Sequence, residues 1–236
     1  MNHGSPPEIG ERGGISYALF EPTGEPEAGV LILHGAGSAK ESHFDYARVC
    51  VAYGFSALSY DARGHGRSDG AFGPGAIDDA VAMLDLLRER AAPAVALRGS
   101  SMGGFSAILA AAKDGHAAAV AAICPAPADL LLRGFRSGRL DGFEADVAAL
   151  EPWLEKEVSL RDAATSLAPG TALLLMHAEG DEQVPYTVSQ ELYKAAGRPK
   201  RLLLLPGGHH RSLQHDPEIQ AESIKYIARA VRGELS

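Results

Sequence analysis

ALRGSSMGGFSA, residues 96–107, places two adjacent serines between glycines, after an apolar run and before an alanine-rich one. The preceding run, AVALRGS, reads as a buried strand, and residues 103–113 read as a strong helix former. Gly99-Ser100-Ser101-Met102-Gly103 fits G-x-S-x-G with Ser101 at the centre. Ser100 cannot hold that place, because Arg98 and Met102 would then occupy the glycine positions. A serine on so sharp a strand-to-helix turn is forced into a strained backbone conformation, and its neighbours two residues away must be small. The following helix aims its free N–H groups at the same spot.

The turn sits in an alternating series. GVLILHG (29–35), FSALSYD (55–61), AVAAICP (119–125), ALLLMHA (172–178) and RLLLLPG (201–207) are short apolar runs of the kind buried on both faces of a parallel sheet. GISYALFEP (14–22) alternates instead and is expected as an antiparallel edge strand. Helices are expected at 40–53, 76–90, 188–196 and 217–232, the second carrying Ile77, Val81, Leu84 and Leu87 at helical spacing. Strand alternating with helix implies an α/β fold, a mostly parallel central sheet with helices on both faces. Residues 126–170 break the rhythm with amphipathic pieces and no good strand. They are too long for a plain connection and too short for a core of their own, so a helical lid-like insertion is expected within one domain, 1–236.

A serine nucleophile needs a base, and the base needs an orienting acid. In this fold class they follow in the order serine, acid, histidine, each on a loop after a strand. EGDEQVP (179–185) follows one strand and carries Asp181; GHHRS (208–212) follows the next and carries His209 and His210. All three positions lie at the carboxyl edge of the sheet, where open α/β sheets bind ligands. The adjacent histidines cannot both face the serine. Besides the N–H of Met102, the loop LHGAGSAKES (33–42) offers the N–H of Ala36 as a second oxyanion donor. His34 is read as a loop-stabilising residue, His65 as part of a glycine-rich turn at the pocket rim, and His215 as a residue at a helix start.

The remaining composition narrows the class. A formal net charge of -8 argues against a nucleic-acid or anionic-membrane surface. No apolar run is long enough to span a bilayer, and residues 1–14 show no signal-peptide pattern, so a cytoplasmic location is expected. Cys50 and Cys124 lie in apolar contexts and read as buried thiols. In the insertion, Arg133, Arg136 and Arg139 recur every three residues among Phe135, Leu140 and Phe143. An apolar acyl pocket with a basic rim would use Phe135, Arg136, Phe143 and Trp153; a solvated helix face is the plainer reading, with Trp153 in the lid core.

HGAGSAKES, YDARGHGRSDG, GSSMGG, EGDEQVP and PGGHH, in this order, resemble the α/β-hydrolase superfamily over nearly the whole chain. Within it the combination is similar to small cinnamoyl/feruloyl-type esterases and to the serine aminopeptidase-like branch. The resemblance implies Ser101 as nucleophile, Asp181 as acid and His210 as base. His210 is selected because family loops read P-x-G-x-H, here Pro206, Gly208 and His210. It further implies an oxyanion hole of Ala36 and Met102, no metal or organic cofactor, and a small-molecule ester as partner. A homodimer is left open. Carboxylesterase activity is the expectation; an acyltransferase, a thioesterase or a peptidase would use the same residues, and a binding protein of this fold would typically lack one of them.

Overall fold

The computed structural model describes residues 6–91 and 93–235; residues 1–5 of the N-terminal stretch considered above lie outside them. Among the described residues eight strands form one sheet: β1 (Glu8–Arg12), β2 (Ile15–Phe20), β3 (Gly29–Leu33), β4 (Ser56–Tyr60), β5 (Val95–Ser100), β6 (Ala119–Ile123), β7 (Ala172–Ala178) and β8 (Lys200–Leu205). Their order is β1-β2-β4-β3-β5-β6-β7-β8. β1 and β2 run antiparallel to their neighbours, and every pairing from β4 to β8 is parallel. The carboxyl ends of β3, β5, β6, β7 and β8 therefore share one edge.

Period-two alternation splits each buried strand between two cores. Leu31, Leu33, Leu97, Leu173 and Leu175 pack on α2 (Ala76–Arg90) and α3 (Met102–Asp114). Val30, Ile32, Ala96, Leu174 and Met176 pack on α1 (Phe44–Ala52) and α8 (Pro217–Val231). Burial on both faces is why these strands read as unbroken apolar runs. Between β6 and β7 the chain builds α4 (Ala128–Arg136), α5 (Val147–Pro152), a π-helical turn at Trp153–Glu157, and α6 (Leu160–Thr165). The Trp153 ring meets Phe105 of α3 edge to face at 5.7 Å and so anchors this segment to the main body. Thr187–Ala195 forms α7.

Two expectations need correction. The alternating strand over 14–22 is not the edge: β2 is buried along its whole length, and β1 covers it. β1 reads EIGER, too polar and short to stand out, which suits an edge strand that must not invite further pairing. The helix expected over 40–53 opens instead as a 3-10 turn at Lys40–His43 before α1 begins. The reason is Asp61, at the end of β4, whose carboxylate takes both the Lys40 N–H (2.7 Å) and the Lys40 ammonium (2.6 Å).

Lys40 and Asp61 are essentially inaccessible, with side chains 1% and 0% exposed. Asp61 also accepts the Arg67 N–H at 2.9 Å, so one carboxylate ties the loop after β3 to the loop after β4. Burial alone would raise the Asp61 carboxyl; the hydrogen bonds from Lys40 and Arg67 outweigh it and hold the group below the usual carboxylate range. A depressed native pKa gives stability that is present above the unfolded value, about 3.9, and is lost as pH falls through the native one. Asp61→Asn, which leaves the buried Lys40 ammonium with only the exposed Glu41 carboxylate at 3.2 Å, is expected to cost about 3 kcal/mol at neutral pH. Urea unfolding at neutral and acidic pH should show that gap closing as pH drops below about 4; a gap that is absent at neutral pH, or that widens in acid, contradicts this role.

Candidate active site

Ser101 stands between β5 and α3 with φ 55° and ψ -119°, a conformation that non-glycine residues avoid. Its backbone is pinned from three directions. The Ser101 N–H donates to the Ile123 carbonyl (2.9 Å), and its carbonyl accepts from Phe105 N–H (3.0 Å) and Ala126 N–H (3.2 Å). The flanking glycines answer a steric requirement. A Cβ on Gly99 would fall on the Gly103 carbonyl, and one on Gly103 would fall on the carbonyls of Leu33 and His34. Met102 is the first residue of α3, so its N–H has no carbonyl within the helix. The loop after β3 lies directly over the serine: a Cβ on Gly35 would be 3.5 Å from Ser101 Cβ. Ala36, next in that loop, lines the cavity that Ser101 and His210 share.

Asp181 and His210 reach the serine from the loops after β7 and β8. The Ser101 hydroxyl lies 2.9 Å from His210 Nε2, and His210 Nδ1 lies 2.7 Å from Asp181 Oδ2. With Asp181 ionised, Nδ1 must carry the proton, which leaves Nε2 free to accept from the hydroxyl. Asp181 Oδ1 accepts the N–H groups of Gln183 and Val184, both at 2.8 Å. Burial would raise this carboxyl, but hydrogen bonds from His177, His210 and Val184 hold it far below the usual carboxylate range. Asp181 is thus an anion aimed at one imidazole nitrogen. Of the paired histidines, His210 is turned inward, while His209 is exposed and its Nδ1 accepts the Arg211 N–H at 3.3 Å.

Residues that the motifs did not single out hold these loops. His177, the buried histidine of β7, donates from Nε2 to the Val184 carbonyl (2.9 Å) and sits 3.3 Å from Asp181 Oδ2. Its Nδ1 accepts from the Ser189 hydroxyl at 2.7 Å. Beneath the serine, Arg98 Nη2 donates to the Gln214 carbonyl (2.8 Å), and Ser100 Oγ donates to Gln214 Oε1 (2.9 Å). The strand that carries Ser101 therefore grips the loop that carries His210. Arg98 is buried over the Tyr46 ring, 3.9 Å from its centroid, and no carboxylate pairs with it among the described residues. Its one sequence signal was a charge inside an otherwise apolar strand.

Of the two readings of the insertion, the plainer one holds for Arg136 and Trp153, and the acyl pocket built from Phe135, Arg136, Phe143 and Trp153 is not found. None of these four residues lines the cavities at Ser101. Arg136 points outward to Glu151 (3.1 Å) and Glu155 (3.5 Å). Phe143 stacks on His65 at 4.0 Å, Phe135 packs edge-on to Phe143, and Trp153 is core. Arg139, three residues past Arg136, is the arginine of that series that reaches the cavities. His34 accepts the Ala62 N–H at Nε2 (3.0 Å) and braces the loop, as expected. His65 is buried rather than at the rim. His215 pairs with Asp45 at 2.9 Å, while Asp216 caps α8 through the N–H groups of Glu218 and Ile219.

Three kinds of likeness agree with this architecture. The family described as Serine aminopeptidase, S33, matches residues 24–133. The uncharacterized protein YfhR of Escherichia coli (strain K12) is 27% identical over 229 residues, covering 89% of this chain and 73% of that protein. The α/β hydrolase GrgF from Penicillium sp. sh18 superposes with a TM-score of 0.76 at 19% identity, covering 92% of this chain and 94% of that one. Est1E from Butyrivibrio proteoclasticus, solved with ferulic acid bound, gives a TM-score of 0.72 at 21% identity over 95% of this chain and 98% of the other.

The close approach at Gly103 has a measurable cost if violated. Gly103→Ala is expected to destabilise the protein by about 1–3 kcal/mol, because backbone rather than a flexible side chain must move. Gly197, which has open space around it, is the control: Gly197→Ala should stay within about 0.5 kcal/mol. Equal urea midpoints for the two variants would contradict the packing described for the serine turn.

Proposed function

We propose that this protein, which has the α/β-hydrolase fold, is a serine hydrolase that cleaves carboxylic esters through an acyl-enzyme. The observation that carries the reading is the continuous Ser101–His210–Asp181 hydrogen-bond chain, 2.9 and 2.7 Å, with its serine on a strained turn. His210 Nε2 takes the hydroxyl proton as Ser101 Oγ attacks the ester carbonyl carbon. Asp181 keeps the imidazole in the required tautomer and stabilises the imidazolium. The N–H groups of Met102 and Ala36 receive the oxyanion, each donor being worth about 3–4 kcal/mol in comparable sites. The imidazolium then protonates the departing alcohol. Water activated by His210 attacks the acyl carbon, releases the carboxylic acid and returns the proton to Ser101. The ferulic acid held by Est1E is a carboxylic acid, in keeping with an acyl product of this kind.

The insertion spanning 126–170 acts in this reading as a lid within a single domain, because Leu130, Leu131, Gly134 and Leu140 face the serine. Cytoplasmic residence fits two buried cysteines kept as free thiols; among the described residues no helix is long and apolar enough to cross a membrane. The family match favours amide hydrolysis as the second reading. A cationic α-amino group, however, would meet Arg139 and Arg211 at the cavity wall.

Ser101→Ala is expected to abolish p-nitrophenyl acetate hydrolysis while leaving the unfolding midpoint unchanged. Asp181→Asn should lower kcat by about 10⁴, through the wrong imidazole tautomer. Wild-type turnover in purified Ser101→Ala would sink the assignment. Faster cleavage of an aminoacyl anilide than of any ester would move it to the second reading.

A further inference from the structure

Two chambers meet at Ser101 and His210, and their walls differ in chemistry. One, about 450 Å³, is mainly aliphatic, lined by Ala126, Leu130, Leu131 and Val184, with Glu182 at its edge accepting the His210 N–H at 3.2 Å. The other, about 530 Å³, is polar: the loop after β3 forms one side, and Arg139, Arg211 and His215 stand around it. Arg139 and Leu140 line both chambers and divide them.

The three arginines of the insertion are not equivalent. Arg133 is satisfied by Asp129 at 2.7 Å, and Arg136 by Glu151 and Glu155. α4 ends at Arg136, and Gly138 just beyond it, with φ 67°, turns the chain so that the Arg139 N–H returns to the Gly134 carbonyl (3.0 Å). Beyond that turn, the Arg139 guanidinium is held only through Nε to the Ser137 hydroxyl (3.0 Å) among the described residues. Arg211 follows His210 directly, and its guanidinium likewise has no carboxylate partner among the described residues. His215, by contrast, is taken by Asp45. The carboxylate on this wall is that of Asp141, so two free guanidinium groups face one acid.

Within the polar chamber that balance is opposite in sign to the chain as a whole, whose formal charge is -8, while the Glu182 carboxylate stands on the wall of the other chamber. The distant field is screened beyond about 8 Å at physiological salt, so a bound group senses mainly the local arginines. A guanidinium offers two parallel N–H donors that match a carboxylate. We propose that the substrate is an ester with a carboxylate on one side of the scissile carbonyl and an aliphatic group on the other. Arg139 and Arg211 hold the carboxylate in the polar chamber, and the leucine-lined chamber takes the aliphatic part. This rests on the serine-hydrolase reading.

The test compares kcat/KM for three esters: neutral phenyl butyrate, 4-butyryloxybenzoate with the charge on the alcohol side, and monophenyl glutarate with the charge on the acyl side. One of the charged esters should exceed the neutral one by about tenfold or more, a ratio worth about 1.4 kcal/mol. Arg139→Gln and Arg211→Gln should each lower that charged-to-neutral ratio several-fold, and added NaCl should lower it in the wild type. Arg136→Gln, whose partners lie outside the chambers, should leave the ratio as it is. A wild type that turns over phenyl butyrate at least as well as both charged esters overturns this inference alone. So does a preference that survives both arginine substitutions. Hydrolysis of none of the three esters, with Ser101 never acylated, overturns the serine-hydrolase reading beneath it.

Discussion

The architecture of the site depends on one peptide, that of Ser101, held at positive φ between a strand and a helix. Such a residue costs about 1–3 kcal/mol and persists only where its surroundings over-determine it. Here the surroundings are backbone: Ile123, Phe105 and Ala126 bond the serine's own N–H and carbonyl, and β5, α3 and β3 approach too closely for any Cβ at Gly99 or Gly103. The contact at Gly103 is with the carbonyls of Leu33 and His34, the residues that lead into the loop bearing Ala36. One steric constraint therefore sets both the serine and the loop above it.

The other loops are fixed by buried polar groups, each bridging two segments. Lys40–Asp61 joins the loops after β3 and β4, His177 braces the turn around Asp181, and Arg98 with Ser100 grips Gln214 behind His210. Buried charge is a costly way to tie loops. Arg98 shows it most plainly, since it has a carbonyl and an aromatic face in place of a counter-ion, and burial lowers its pKa. What these groups supply is position: a relay that requires hydrogen-bond distances across three loops needs each loop held to within fractions of an ångström.

Much of this was legible in the chain. Buried parallel strands announce themselves as apolar runs, and α2 was read to its observed ends, Ala76–Arg90, because its apolar spacing is regular. Ser101, Asp181 and His210 were readable because this fold delivers nucleophile, acid and base in a set order at strand ends, and the structure brings the three together. The edge strand β1 was not legible, since a polar, exposed strand has no face to bury and leaves no periodic trace. The substrate wall was legible only in part: the plainer reading of the insertion, a solvated face with Trp153 in the core, holds for Arg136 and Trp153, but the residues that do line the cavities were not singled out. Arginine spacing along a helix shows which residues share a face, but not which are neutralised by carboxylates 15 and 19 residues away, as Arg136 is. Nor does it show that Gly138, just past the helix end, sends Arg139 inward.

The central claim is that Ser101 Oγ becomes covalently acylated. Acid-quenching the protein during turnover of p-nitrophenyl acetate and mapping its peptides by mass spectrometry tests this directly. The expected result is a single acetyl group on the peptide bearing Ser101; a His210→Gln variant acylated beforehand at high pH should lose that group far more slowly than the wild type. An acetyl group on another residue, or turnover with no acylated peptide at any time point, would contradict it.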